Sequence, residues 1–175
     1  MRKRTLYLLQ ATTALGGMGY GVMFTVLDDF RDKYGITESQ LGLIVGVGFI
    51  TGFLSQILFA PQADKGHAKK LVMTGIVTEI VGTLFMAFGQ AFLPLIIGRL
   101  LAGFGVGISE PALRRILILS DPERMGQNLG LIVSASVAGF TAGPIVSALT
   151  ADTLGIAAPF LMVAVLLVVV AFGLF

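Results

Sequence analysis

Four stretches of this chain carry no charged side chain: Thr5 to Leu27, Ser39 to Ala63, Met125 to Ala151 and Thr153 to Phe175. Each is longer than the roughly 20 apolar residues a helix needs to cross a hydrocarbon core. A fifth stretch, Leu71 to Leu113, is long enough for two crossings and holds only Glu79, Arg99 and Glu110. Gly89-Gln90-Ala91, followed by Pro94, supplies the turn between them. The expectation is six spans, at 5–27, 39–61, 71–88, 93–118, 127–150 and 156–175. A mean hydropathy of +0.92, with 55% hydrophobic residues, excludes an ordinary soluble domain. Long runs rich in Leu, Ala and Gly lack the alternation of an outer-membrane barrel. With no water to satisfy the backbone, helices remain. Met1-Arg2-Lys3-Arg4 resembles the start of a cleavable signal, but the apolar run after it is too long and five more spans follow.

The basic residues set the orientation. Arg2, Lys3, Arg4, Lys65, Lys69, Lys70, Arg114, Arg115 and Arg124 fall on the N-terminal side of the six spans, and only Arg31 and Lys33 fall opposite. The positive-inside bias then puts the N-terminus in the cytoplasm of a bacterial-type inner membrane. The net charge of +2 is therefore a topology signal and no argument for nucleic acid. The chain has no cysteine and a single histidine, His67, so neither a metal site nor a cofactor is expected.

The chain also repeats itself. Gln40-Leu41-Gly42-Leu43-Ile44-Val45 returns as Asn128-Leu129-Gly130-Leu131-Ile132-Val133, and the glycines 17, 19 and 21 return as Gly103, Gly105 and Gly107. The expected fold class is thus an all-α polytopic membrane protein, with two inverted three-helix units at about 5–88 and 93–175. Residues 1–175 form one six-helix transmembrane half-domain on this reading.

Three motifs carry a resemblance. The link after span two reads Ala60-Pro61-Gln62-Ala63-Asp64-Lys65-Gly66-His67-Ala68-Lys69-Lys70. It resembles the signature Gly-x-Leu-Ala-Asp-Arg-x-Gly-Arg-Lys of the major facilitator superfamily. Ala63, Asp64 and Lys69 match and Lys65 keeps the charge, whereas Ala60, Gln62, His67 and Ala68 depart. Span four holds Gly98-Arg99-Leu100-Leu101-Ala102-Gly103, similar to that family's fourth-span motif of an arginine and a glycine face. Span five holds Gly139-Phe140-Thr141-Ala142-Gly143-Pro144, which resembles the Gly-x-x-x-Gly-Pro motif of the antiporter branches, with Ser147 and Ala148 in place of its last two glycines. The matches run from Gln40 to Ala148 and are closest to the N-terminal half of a twelve-span protein. Ending at Phe175 inside a span, the chain reads as a truncation.

The resemblance implies alternating access about a midplane cavity lined by spans one, two, four and five, with a second six-helix half as partner, from the same chain or another subunit. The cavity candidates are Gln10, Tyr20, Thr51, Gln56, Ser134, Ser136 and Thr141. Each is as readily an interhelical hydrogen bond, but together they suit a largely apolar cavity. Arg99 is the first coupling candidate, since an intramembrane arginine is costly unless it faces a cavity or a partner. Glu79 sits eight residues into span three, where an anion is costly and a proton carrier is well placed; a hydrogen bond to a neighbouring helix is the alternative. Glu110 returns to nearly the same helix face as Arg99, but Arg114 four residues on offers it a local ion pair. Asp64, Lys65, Lys69 and Lys70 form the expected gate loop. Gly139, Gly143 and Pro144 form a helix-packing motif, expected to meet the opposite half. Asp28 to Lys33 reads as a solvated loop, and span six as lipid-facing.

The function expected is proton-coupled export of a hydrophobic or amphiphilic small molecule. A symporter or uniporter of a small metabolite, and a non-transporting six-span assembly partner, are the rivals. An enzyme is not expected, because no nucleophile–base pair, metal cluster or phosphate loop is visible.

Overall fold

Glycine-on-backbone contacts decide how the helices of this chain meet. In the computed structural model, which describes residues 3–174, seven α-helices run through the chain: α1 (Lys3–Gly21), α2 (Leu27–Tyr34), α3 (Glu38–Gln62), α4 (Ala68–Phe88), α5 (Phe92–Ser120), α6 (Met125–Leu154) and α7 (Ala158–Leu174). Met1, Arg2, the Lys3 side chain and Phe175 lie outside the described residues. The described residues contain no strand. Three continuous helical stretches are long and apolar enough to cross a membrane: Glu38–Phe88, Phe92–Ser120 and Pro122–Leu154. The first is 51 residues and breaks at Gly66, whose φ of 91° no other residue type adopts easily. α7 is a shorter apolar helix.

The packed pairs are α1 with α6, α3 with α5, α4 with α5, α4 with α7 and α1 with α7. α4 and α5 come so close that a Cβ at Gly75 would lie 2.6 Å from the Gly105 carbonyl, and one at Gly98 would lie 2.8 Å from the Gly82 carbonyl. Such contacts suit a medium where apolar burial alone drives no helix association. The same device repeats. Gly17 sits against the Ser136 carbonyl on α6, and Gly103 sits against the Gly48 carbonyl on α3. Gly21 meets the Phe140 carbonyl as Gly107 meets the Gly52 carbonyl. In all four, a Cβ would overlap the oxygen.

Two expectations change here. Gly139 and Gly143 do not face outward to another half. They are buried against α1, Gly139 on the Ala14 carbonyl and Gly143 on Gly21 and Val22, because only bare backbone lets the two helices approach this far. Likewise, Asp28 to Lys33 is no loop. It lies in α2, ended by Gly35 at φ 66°, with Phe30 fully buried between Phe160 and Tyr34 while the charges stay exposed. Arg31 donates to Asp32 at 2.8 Å and holds that carboxyl below its ordinary range. Between α1 and α2 the chain tightens into a 3-10 helix over Val22–Val26, so α1 ends at Gly21. Thr25 there spends its hydroxyl on the Pro144 carbonyl of α6.

The start of α3 is set locally. Thr37 and Gln40 form a reciprocal capping box. Other hydroxyls bond back into their own helices, Thr12 to Leu8, Thr51 to Val47, Thr83 to Glu79 and Thr141 to Val137. This satisfies a polar group without water or a partner helix. The core lies among α1, α4, α5 and α7, around Val72, Ile76, Leu95, Ile108, Val163 and Leu167. α3 and α6 bury only one narrow face each and leave Phe53, Ile57, Leu58, Val137, Ile145 and Leu149 exposed.

Candidate functional site

Arg99 of α5 is the largest fully buried side chain in the chain's described residues, only 2% exposed. Its guanidinium carbon stands 4.2 Å from the centre of the Tyr20 ring and 5.8 Å from that of Phe49. A desolvated contact of this kind contributes about 2 kcal/mol. Nη1 donates to the Gly19 carbonyl at a long 3.4 Å, while Nε and Nη2 have no partner. Stability alone does not account for a buried cation so thinly satisfied.

α3 is shaped to receive this group. A Cβ at Gly48 would overlap Arg99 Nε, and one at Gly52 would stand 2.7 Å from the Tyr20 hydroxyl. Tyr20 donates that hydroxyl to the Gly48 carbonyl at 2.8 Å, and its ring lies 4.9 Å from Phe49. Two glycines one turn apart thus form slots for an arginine and a tyrosine from two other helices.

Tyr20 and Phe49 also line two adjoining cavities. One, about 270 Å³, runs toward α6 and is lined also by Ser136, Val137 and Phe140. The other, about 200 Å³, runs along α3 past Phe53 and Gln56. Tyr20, Phe49, Val106 and Glu110 line both. Glu110 is their only charged lining residue among the described residues, and it accepts from Arg114 at 2.6 Å. A third cavity, about 300 Å³, lies toward the Asp64 link, between α3 and α5, and includes Gln56, Asp64, Arg114 and Arg115.

Of the seven cavity candidates, the structure gathers Tyr20, Gln56 and Ser136 around these spaces. Gln10 and Thr51 are partly buried elsewhere, and Ser134 and Thr141 are exposed on α6 away from the lining. Phe49, Phe53 and Phe140 were not anticipated. An aromatic ring inside an apolar run gives no contrast, and the neighbouring Gly48 and Gly52 were its only signal. Glu79 is 2% exposed, and its Oε1 is buried without a hydrogen-bond partner. It faces α1, where a Cβ at Gly19 would be 3.5 Å away and one at Gly16 3.8 Å away. Glu79 and Arg99 therefore converge on one turn of α1 without an ion pair between them closer than 4 Å.

At the link, Asp64 pairs with Arg115 of α5 at 3.1 Å. Lys65, Lys69 and Lys70 are exposed, and none has an ion pair among the described residues. No group of three metal-ligating side chains occurs among the described residues.

A bundle of apolar helices, joined backbone to backbone through glycines and holding buried charges beside an aromatic cavity, defines a polytopic integral membrane protein. Residues 9–175 match the Major Facilitator Superfamily, and the chain belongs to that family. An MFS-type transporter of Methanocaldococcus jannaschii, MJ1560, is 26% identical over 159 residues, which is 90% of this chain and 41% of the relative. The quinolone resistance protein NorA of Staphylococcus aureus is 26% identical over 146 residues, 81% of this chain and 37% of that one. The chain thus spans about two fifths of the length of these curated relatives. The crystal structure of the human organic anion transporter MFSD10 (TETRAN) superimposes with a TM-score of 0.78 at 21% identity, over 97% of this chain and 40% of that one. That likeness concerns the fold. The family and the MJ1560 relative point to transport rather than to an enzyme.

Proposed function

We propose that this chain is one six-span half of a secondary transporter that exports a hydrophobic or amphiphilic small molecule in exchange for protons. The observation that carries the reading is the aromatic cavity of Tyr20, Phe49 and Phe140 with Glu110 as its only charge. An apolar pocket with few polar groups is the ordinary form of a small-molecule site. The name of the NorA relative, a quinolone resistance protein, agrees with a drug-like substrate.

The six spans are α1, α3, α4, α5, α6 and α7, arranged as two inverted units. Three crossings per unit make the second copy enter from the opposite side. Two observations support this. The five most closely packed α-helix pairs map onto one another when α1, α3 and α4 are exchanged for α5, α6 and α7. The contacts Gly17–Ser136 and Gly103–Gly48 map onto each other through the sequence offsets of the repeat, as do Gly21–Phe140 and Gly107–Gly52. A second six-helix half covers the exposed faces of α3 and α6, and the two halves rock about the cavity. The N-terminus and the Asp64 link face the cytoplasm of a bacterial inner membrane, where the Asp64–Arg115 pair latches α3 to α5. Glu79, buried and unpartnered, and Glu110, in the cavity, are the proton-handling groups, with Arg99 between α1 and α3 as the fixed charge.

The test uses the whole protein in proteoliposomes under an imposed proton gradient, with a hydrophobic fluorescent dye as cargo. Glu79→Gln and Glu110→Gln, made separately, are expected to abolish gradient-driven export while dye exchange without a gradient persists. Unchanged gradient-driven export in both variants would end the antiport reading. Absence of any dye movement in the unaltered protein would end the export reading itself.

A further inference from the structure

Arg99 lines neither cavity, yet the Tyr20 ring it stacks on lines both. On one face of Tyr20 lies the guanidinium at 4.2 Å; the same tyrosine lines both cavities, 270 and 200 Å³ in volume. Phe49 closes the adjoining edge, 4.9 Å from Tyr20 and 5.8 Å from the guanidinium. The hydroxyl of Tyr20, bonded to the Gly48 carbonyl and seated over Gly52, holds the ring in this position. Behind it, Nε and Nη2 of Arg99 have no acceptor. These are two unused charge-assisted donors on a guanidinium that stacks on a ring lining the cavity. A carboxylate or sulfonate that reached them would gain a strong bidentate contact.

We propose that Tyr20, backed by Phe49, is the specificity-determining residue of this cavity: its ring denies anions contact with Arg99, so the site accepts neutral and cationic compounds and refuses anionic ones. Tyr20 thus sets which sign of charge Glu110 and the aromatic walls meet. This rests on reading the cavity as the substrate site.

The experiment is equilibrium dialysis of the whole protein, purified in detergent, with two probes of one skeleton and opposite charge, naphthalenesulfonate and trimethylnaphthylammonium. The unaltered protein is expected to bind the ammonium probe more tightly. In Tyr20→Ala the sulfonate gains about tenfold or more, the scale of one charged hydrogen bond, while the ammonium does not gain. Tyr20→Phe keeps the ring and shows no sulfonate gain. Tyr20→Ala combined with Arg99→Gln loses the gain. Retained ammonium binding with no sulfonate gain in Tyr20→Ala overturns the proposal and leaves the cavity reading standing. A gain that survives Arg99→Gln also overturns it. If neither probe binds the unaltered protein, the cavity reading falls and this inference with it. Should Tyr20→Ala not fold, Phe49→Ala asks the same question at a side chain 46% exposed, and the absence of an Arg99-dependent sulfonate gain there overturns the proposal.

Discussion

Arg99 and Gly48 are one feature seen from two helices. A methyl group at Gly48 would overlap Nε and press on Cδ and Cγ at 3.0 Å. Because the arginine is wedged against Tyr20, it has little room to move away. Gly48→Ala is therefore expected to destabilise the protein by about 1–3 kcal/mol, the usual cost of overpacking, measured as a lower melting temperature in detergent. Arg99→Leu should do the opposite of what a structural ion pair would do. It removes two unsatisfied buried donors, so stability should hold or rise while gradient-driven transport is lost. A clear fall in melting temperature with transport intact would show that the arginine is structural. Arg99 and Glu110 were legible in the sequence because a charge in an apolar run is conspicuous. Phe49 was not, because only the packing of α5 on α3 decides which of many rings meets the guanidinium.

The α1–α6 contact shows the same logic along whole helices. Gly139 lies on the Ala14 carbonyl and Gly143 on Gly21, so any side chain there forces two backbones apart. Gly139→Val should cost more than the roughly 1–3 kcal/mol of ordinary overpacking and leave little folded protein, read as loss of the monodisperse peak on size exclusion. Gly42→Ala is the control. A Cβ at Gly42 meets nothing within 4 Å, and alanine favours the helix by up to about 1 kcal/mol. Equal behaviour of the two variants would sink the close-contact account. The Gly-x-x-x-Gly spacing announced a contact surface in the sequence, but its partner came from tertiary structure. α2 was misread for a related reason: five charges among Asp28 to Lys33 argued for a loop, and the burial of Phe30 against Phe160, a distant residue, made it a helix.

At the scale of the whole fold, the absence of cysteine from these 175 residues makes the topology of this part directly measurable. A single cysteine placed at Lys65 should react with an impermeant maleimide only in inside-out vesicles, and one at Lys33 only in right-side-out vesicles. Both residues are exposed in the folded chain. Labelling of both from one side would exclude the proposed arrangement, since α3 would then not cross.

The sequence by itself determined the medium and, α2 apart, the helices and their rough ends, because long uncharged runs have one stable form in lipid. It also exposed the repeat, since the two glycine triplets and the two hexapeptides are visible without coordinates. Only the tertiary structure decided which glycine faces which helix, that Asp64 meets Arg115, that Glu79 turns to α1, and that Arg99 stacks on the Tyr20 ring that lines the cavity. Helix formation depends on bonds within four residues, whereas these contacts join residues 28 to 119 positions apart, as Tyr20 to the Gly48 carbonyl and Thr25 to the Pro144 carbonyl illustrate. Their geometry follows from how closely bare backbones approach, which local composition does not encode.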